Sequence, residues 1–160
     1  MNYRSVDLGN FEFHDAYFTF VGFANGTLTL SARYVNIHKN VDQNPLPTDM
    51  EIELATITFE GFRIESFTVG GTREMDANGK CSAVQPPCVF EGQAANDKLF
   101  NELRVGSTIY EFGILENGNY YFEGAGDELW FQTQFLFNSA IVEWDTYRKP
   151  AWYEEKSFMV

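Results

Sequence analysis

Apolar and polar residues alternate with period two over most of this chain, the spacing of strands that bury one face in a sheet. In residues 27–35, Thr27, Thr29, Ser31 and Arg33 alternate with Leu28, Leu30, Ala32 and Tyr34. Asn25-Gly26 separates that run from residues 16–24, and both turn residues tolerate positive φ, so a hairpin is predicted. Residues 49–60 change phase near Ala55. Ile52 and Leu54 share one face and Ile57 and Phe59 the other, which predicts a bulge or a bend between sheets. Residues 62–69 form a further strand that Gly70-Gly71 is expected to end. Residues 107–115 and 120–124 flank Asn117-Gly118, another hairpin signal.

The most informative stretch is 129–147, where two apolar-rich runs flank Asn138-Ser139. Closed as a two-residue hairpin, it sets Phe137 opposite Ala140, Phe135 opposite Val142, Thr133 opposite Trp144 and Phe131 opposite Thr146. The other face pairs Leu136 with Ile141, Gln134 with Glu143, Gln132 with Asp145 and Trp130 with Tyr147. The first face is expected to be core. The second is polar, ends in two aromatic rings, and is the candidate binding surface: Trp130, Gln132, Gln134, Glu143, Asp145 and Tyr147.

One helix is expected near 96–105. Leu99, Phe100 and Leu103 make its apolar face, Asn96 caps its start and Gly106 stands at its end. Residues 36–48 are a loop by composition, with Pro45 and Pro47 barring a ladder. In residues 72–92, Asn78-Gly79 suggests a short hairpin and Pro86-Pro87 a break. Residues 1–13 are a lead-in whose Phe11 and Phe13 pack on the sheet. Residues 151–160, with Trp152, Tyr153 and Phe158, form a tail that docks on the body. The expectation is one all-β domain over 1–160: an antiparallel β-sandwich or flattened barrel of about eight strands with one short helix.

Composition narrows the function. Sixteen Phe residues supply enough apolar area for a core without a disulfide or metal staple. No apolar run is long enough for a membrane helix, and MNYRSVDLGN has no apolar leader core, so a cytoplasmic protein with no membrane partner is expected. Cys81 and Cys88 would be thiols there, whereas export would make a bridge plausible; without a nearby His they do not read as a zinc site. A net charge of −12 repels phosphate backbones and argues against nucleic acid. Between Arg104 and Arg148 there is no Lys, Arg or His, while Glu111, Glu116, Glu123, Asp127, Glu128, Glu143 and Asp145 all fall there. Such a run is a solvated surface or a docking field for a basic partner.

Candidate chemistry is sparse. The chain has no Gly-x-Ser-x-Gly elbow, phosphate loop or His-Glu-x-x-His. His14-Asp15 could orient an imidazole only if the chain turns between them, and a metal site would need His14, Asp15, His38 and Asp42 together. Glu143 and Asp145 lie roughly 7 Å apart on one strand, a spacing that invites comparison with glycosidase pairs but suits a solvated face. Neither a resident metal nor a cofactor is expected.

The segment FHDAYFTFVGFANGTLTL, about twenty of the 160 residues, resembles small uncharacterised bacterial β domains. These open with an apolar residue, His-Asp and a hairpin, and some are assigned to toxin-immunity systems. The resemblance implies an acidic, cytosolic, non-enzymatic binding protein, and no functional residue is carried over from it. The expected function is therefore an immunity-type module for a basic protein. A carbohydrate- or small-ligand-binding domain is the alternative, and a hydrolase or metal enzyme on His14 and Asp15, with His38, comes third.

Overall fold

The computed structural model describes the backbone of residues 2–75, 77–79 and 81–155, and the side chains of all these but 71–75, 81–85 and 155. In chain order the elements are β1 (Tyr3–Ser5), a 3-10 turn (Leu8–Asn10), β2 (Phe11–Glu12), β3 (Tyr17–Ala24), β4 (Thr27–Arg33), β5 (Asn36–Ile37), β6 (Met50–Ile52) and β7 (Ala55–Glu60). There follow β8 (Arg63–Met75), β9 (Cys81–Phe90), α1 (Gly92–Val105), β10 (Ser107–Ile114), β11 (Tyr120–Ala125), β12 (Phe131–Leu136), β13 (Ser139–Trp144), β14 (Tyr147–Pro150) and α2 (Trp152–Glu155). Ten strands make one antiparallel sheet in the order β1-β13-β7-β4-β3-β10-β11-β12-β8-β9, and β14-β6-β5-β2 make a small second sheet. The protein is mostly antiparallel β, as its alternation predicts, but it is not a closed barrel.

The strands outnumber the eight expected because two long runs are divided and several strands are very short. Residues 49–60 become β6 in the small sheet and β7 in the large one, so the phase change at Ala55 marks a passage between sheets. The lead-in is structural too, since Tyr3–Ser5 pairs with β13 and Phe11–Glu12 with β5. The Asn25-Gly26 and Asn117-Gly118 hairpins form as predicted, Ala24 pairing with Thr27 and Ile114 with Tyr120, while the strands on either side of Asn78-Gly79 pair from Met75 and Cys81 to Phe67 and Phe90, a long hairpin in place of the short one expected.

The hairpin at Asn138-Ser139 does not form. β12 pairs with β11 and β8, while β13 pairs with β1 and β7. Residues 55–64 and 135–144 instead run beside each other as one antiparallel ribbon, with Ser139 opposite Glu60 and Leu136 opposite Arg63. The register is kept across a shared corner made by Gly61-Phe62 on one strand and Phe137-Asn138 on the other. There the Asn138 N–H donates to Glu60 O at 2.7 Å, and Arg63 Nη1 donates to Asn138 Oδ1 at 3.1 Å and to Gly61 O at 2.9 Å. Gly61 has φ +67, and a Cβ on it would run into the Asn138 amide. Within the strands the face assignment survives this change of partners, because side-chain direction is local to each strand, but Thr146, expected on the core face, lies past the end of β13 and is exposed. Phe131, Thr133, Phe135, Ala140, Val142 and Trp144 are all buried.

Three further expectations change. Gly70-Gly71 does not end β8, which runs on because β9 pairs along it, Val69 with Cys88 and Gly70 with Pro87. Pro86-Pro87 does not break β9, an edge strand whose outer side has no ladder bond to lose. The helix starts at Gly92, ahead of 96: Ala95 N–H bonds Glu91 O, and Ala95 is buried beside Leu99 and Leu103. Gly106 does end it, at φ +101. Glu102, buried on α1, accepts from the Asp127 and Glu128 N–H groups at 2.9 and 3.1 Å and ties down the loop into β12. Burial raises its pKa, more than those two bonds lower it.

Phenylalanines dominate the core. Phe59 contacts Phe62, Phe135 and Phe137 across the corner, and Phe122 meets Phe18 edge-on at 5.6 Å and Phe135 at 5.7 Å. Trp144, fully buried, lies between Tyr3 and Phe11, each 5.6 Å away. Of the expected tail, Ala151 is buried and its N–H bonds Asp49 O at 2.9 Å; residues 156–160, with Phe158, lie outside the described residues.

Two outcomes follow from this packing. Trp144→Ala should cost ~3–5 kcal/mol in denaturant unfolding, whereas Trp130→Ala, at a half-buried ring one position before β12, should cost a small part of that. Cys81 and Cys88 sit on one extended strand at about 3.3 Å per residue, far beyond the ~7 Å that a disulfide spans. Titration of the denatured, unreduced chain should therefore find both thiols.

Candidate functional site

Separating β12 from β13 also separates the binding surface expected from the sequence. Gln132 and Gln134 face outward on β12, where Gln132 Nε2 donates to Glu123 Oε1 at 3.2 Å and Gln134 Nε2 to Gln132 Oε1 at 3.2 Å. Glu143 is on β13, opposite Arg4 and Thr56. Asp145 follows it and accepts from the Asn2 N–H at 2.9 Å. Tyr147 is not an exposed platform: its ring packs 5.2 Å from Tyr3, and its hydroxyl donates to Gln43 O. Tyr3 of the N-terminal strand and Gln43 of the loop between β5 and β6 lie against it. The acids between Arg104 and Arg148 are likewise spread over three places: the β10–β11 pair, the loop held by Glu102, and β13.

The chain does turn between His14 and Asp15, which has φ +69. His14 Nε2 lies 3.6 Å from Asp15 Oδ2, and Nδ1 lies 2.6 Å from Tyr110 O. A carbonyl thus holds one ring nitrogen and a carboxylate faces the other. A base of the Ser-His-Asp type needs its second nitrogen aimed at a nucleophile, and here that position is taken by backbone. His38 belongs to a different cluster. Its Nδ1 is 3.0 Å from Asp49 Oδ2, which also accepts from Tyr153 Oη at 2.5 Å, while Asp49 Oδ1 accepts from Lys39 N at 2.8 Å. Among the described residues no group of three or more His, Cys, Asp and Glu side chains is placed to hold a metal ion.

What the fold assembles instead is a groove between β2, the end strand of the small sheet, and the outer half of β10. It comprises two adjoining hollows of about 340 and 370 Å³ that share Glu12 and Phe112. Its floor is aromatic, with Phe13 and Phe112 4.7 Å apart and Phe11 next to Phe13. Asp7 and Glu12 from the N-terminal stretch and Glu111 from β10 bring carboxylates to it, Asp7 lining one hollow, Glu111 the other and Glu12 both, and Tyr110, Trp152 and Tyr153 wall the His14 end. Among the described lining residues none is Lys or Arg. Local bonding sets each acid: Asp7 Oδ1 accepts from Gly9 N at 2.9 Å, Glu12 Oε1 from His14 N at 2.9 Å, and Glu111 Oε1 from Tyr121 Oη at 2.6 Å. That bond to Glu111 pushes the Tyr121 pKa up to about 12. Burial, with Glu111 close by, raises Glu123.

Of the groove residues, the sequence marked Glu111 and His14 for their chemistry and Phe11, Phe13, Trp152 and Tyr153 only as packing. Glu12 on β2, Tyr110 and Phe112 on β10, and Tyr153 on α2 come from three separate segments, so no local pattern links them. Asp49, which joins Tyr153 at the groove wall to His38, reads in sequence as the first residue of a strand. No family model, curated protein or solved structure matches the chain. No helix among the described residues is long and apolar enough to cross a membrane.

Burial raises the Asp49 pKa, but the bonds from Tyr153, the Lys39 N–H and His38 outweigh it and hold the carboxyl below its ordinary value. A carboxyl depressed in the folded state adds stability that is complete above the unfolded value, about 3.9, and is lost as pH falls through the lower folded value. The stability gap between the wild type and Asp49→Asn should therefore be full near neutrality. It should shrink below about pH 4 in thermal unfolding followed across pH. A gap that stayed constant to the acid limit would show that Asp49 does not anchor α2 through its charge.

Proposed function

We propose that this chain is a non-enzymatic, acidic protein-binding module of immunity type, and that it receives a basic partner in the groove between β2 and β10. One observation carries this: carboxylates from two stretches of chain, Asp7 and Glu12 on one and Glu111 on the other, line the two adjoining hollows over an aromatic floor, with no Lys or Arg among the described lining residues. Aromatic floors supply contact energy, and the surrounding charge of −12 steers a cationic partner toward it. A cytoplasmic setting, in which Cys81 and Cys88 stay reduced, belongs to the same proposal.

A carbohydrate is the second candidate, favoured by the outward rows on β10, β11 and β12. Tyr121 pairs with Gln134, and Glu111 pairs with Glu123 and through it with Gln132, so a ring stands beside amides and carboxylates. A glycan array separates the two candidates, since only the sugar-binding one expects a hit there.

The main test uses charge alone. In Glu12→Gln with Glu111→Gln the accepting Oε1 atoms remain while both charges go. Immobilised in extract of the native host, the wild-type chain should retain a basic protein that salt elutes. The double variant should bind that protein about tenfold more slowly at low salt, with the difference closing as salt is added. Glu143→Gln with Asp145→Asn should bind like wild type. Equal binding by the groove variant, or a loss confined to the β13 variant, would sink the proposal.

A further inference from the structure

The groove has a feature that charge does not explain. β3 pairs with β10 only at Ser107 and Thr108, after which Ile109 exchanges bonds with Asp15 N and Ala16 O. From residue 111 to 114, β11 is the only strand paired with β10 among the described residues. Leu115 N–H donates to Asn119 O at 2.8 Å, which makes residues 115 and 119 a hydrogen-bonded pair. Alternation along an antiparallel ladder then gives Gly113 and Glu111 to β11. It turns the N–H and C=O groups of Phe112 and Ile114 toward the groove. Across the groove, β2 pairs only with β5 among the described residues.

Three of the four end strands of the two sheets are guarded. β9 carries Pro86 and Pro87, β14 ends in Lys149 and Pro150, and on β1 the Arg4 carbonyl is taken by Gln43 Nε2 at 2.9 Å. The outer half of β10 has no proline or lysine, and it leaves Tyr110 and Ile114 43% and 61% exposed. An open, unguarded strand edge above an aromatic floor is the template that an extended segment completes.

We propose, building on the acidic-groove function above, that the partner enters as an extended strand paired with Phe112 and Ile114, its residues alternating between apolar and Lys or Arg. Period two explains the alternation. Every second side chain of an added strand faces the Phe13–Phe112 floor, and the intervening ones reach the rim held by Glu12 and Glu111.

The probe is a short fluorescein-labelled peptide of alternating Val and Lys, titrated by anisotropy, with amide hydrogen exchange followed residue by residue. Binding should slow exchange at Phe112 and Ile114 and leave Glu111 and Gly113, already bonded to β11, unchanged. Methylating alternate backbone nitrogens of the peptide should weaken binding by roughly tenfold in one frame and by less than about twofold in the other, because only one edge of an added strand pairs. Ile114→Pro, which removes an N–H that β11 does not use, should weaken binding to a similar extent. Equal tolerance of both methylated peptides, or no protection at Phe112 and Ile114, would overturn strand addition while leaving the acidic groove standing. The groove itself fails only if the Glu12→Gln, Glu111→Gln chain binds as wild type does. No binding at millimolar peptide also overturns strand addition, as does a dimer of the chain that Ile114→Pro dissolves, since a second copy would then be the occupant.

Discussion

Gly61 and Asn138 meet where two long strands bend together, and the arrangement of the large sheet follows from that contact. On one side of the corner, β7 and β13 pair with each other and continue into β4 and β1; on the other, β8 and β12 pair and continue into β9 and β11. The bend tolerates no Cβ at Gly61, because the Asn138 amide occupies that space while bonding Arg63. Phe62 N–H is held by Gly26 O at 2.8 Å, so the first hairpin is fastened to the same point. Phe59, Phe62, Phe135 and Phe137 pack together there, coupling the local backbone requirement to the aromatic core.

The groove results from how β10 leaves that sheet. Its first residues are held by β3 and by the turn at His14-Asp15, and its register against β11 shifts between Ile109 and Glu111. Beyond that irregularity β10 departs from β3, and the space is bordered by β2 of the small sheet. The His14-Asp15 turn has a structural role here. The pair fastens the start of the groove to Tyr110 and Ile109, and the edge beyond it stays open.

What was legible in the sequence and what was not divide along physical lines. Period two is a property of one strand, so Phe131, Phe135, Val142 and Trp144 could be assigned to the core without knowing their neighbours. Asn25-Gly26 and Asn117-Gly118 act within four or five residues, and both hairpins formed. Asn138-Ser139 looks alike in length and composition, yet its backbone is satisfied by Glu60 and its side chain by Arg63, which no local pattern can announce. Tyr147 illustrates the same limit. Its ring alternates with polar neighbours, but Tyr3 and Gln43, from the far end of the chain, turn it inward. The acidic bias between Arg104 and Arg148 was visible as a bias, and only Glu111 of that run reaches the groove, beside Glu12 from the opposite end of the sequence.

The corner ribbon also shapes the order in which the chain can assemble. β3–β4, β8–β9 and β10–β11 are joined by short turns and close small loops. The ribbon unites Val69 with Phe131 at its near end and Ala55 with Trp144 at its far end, across most of the intervening chain. Loop closure of that size precedes any return from the contacts it makes, which is the circumstance that slows folding in proteins dominated by non-local pairing. Local hairpins should therefore wait on a single late docking event. Until it occurs, the strands that flank Gly61 and Asn138 present unpaired apolar edges, so the window for misassembly is set by one corner.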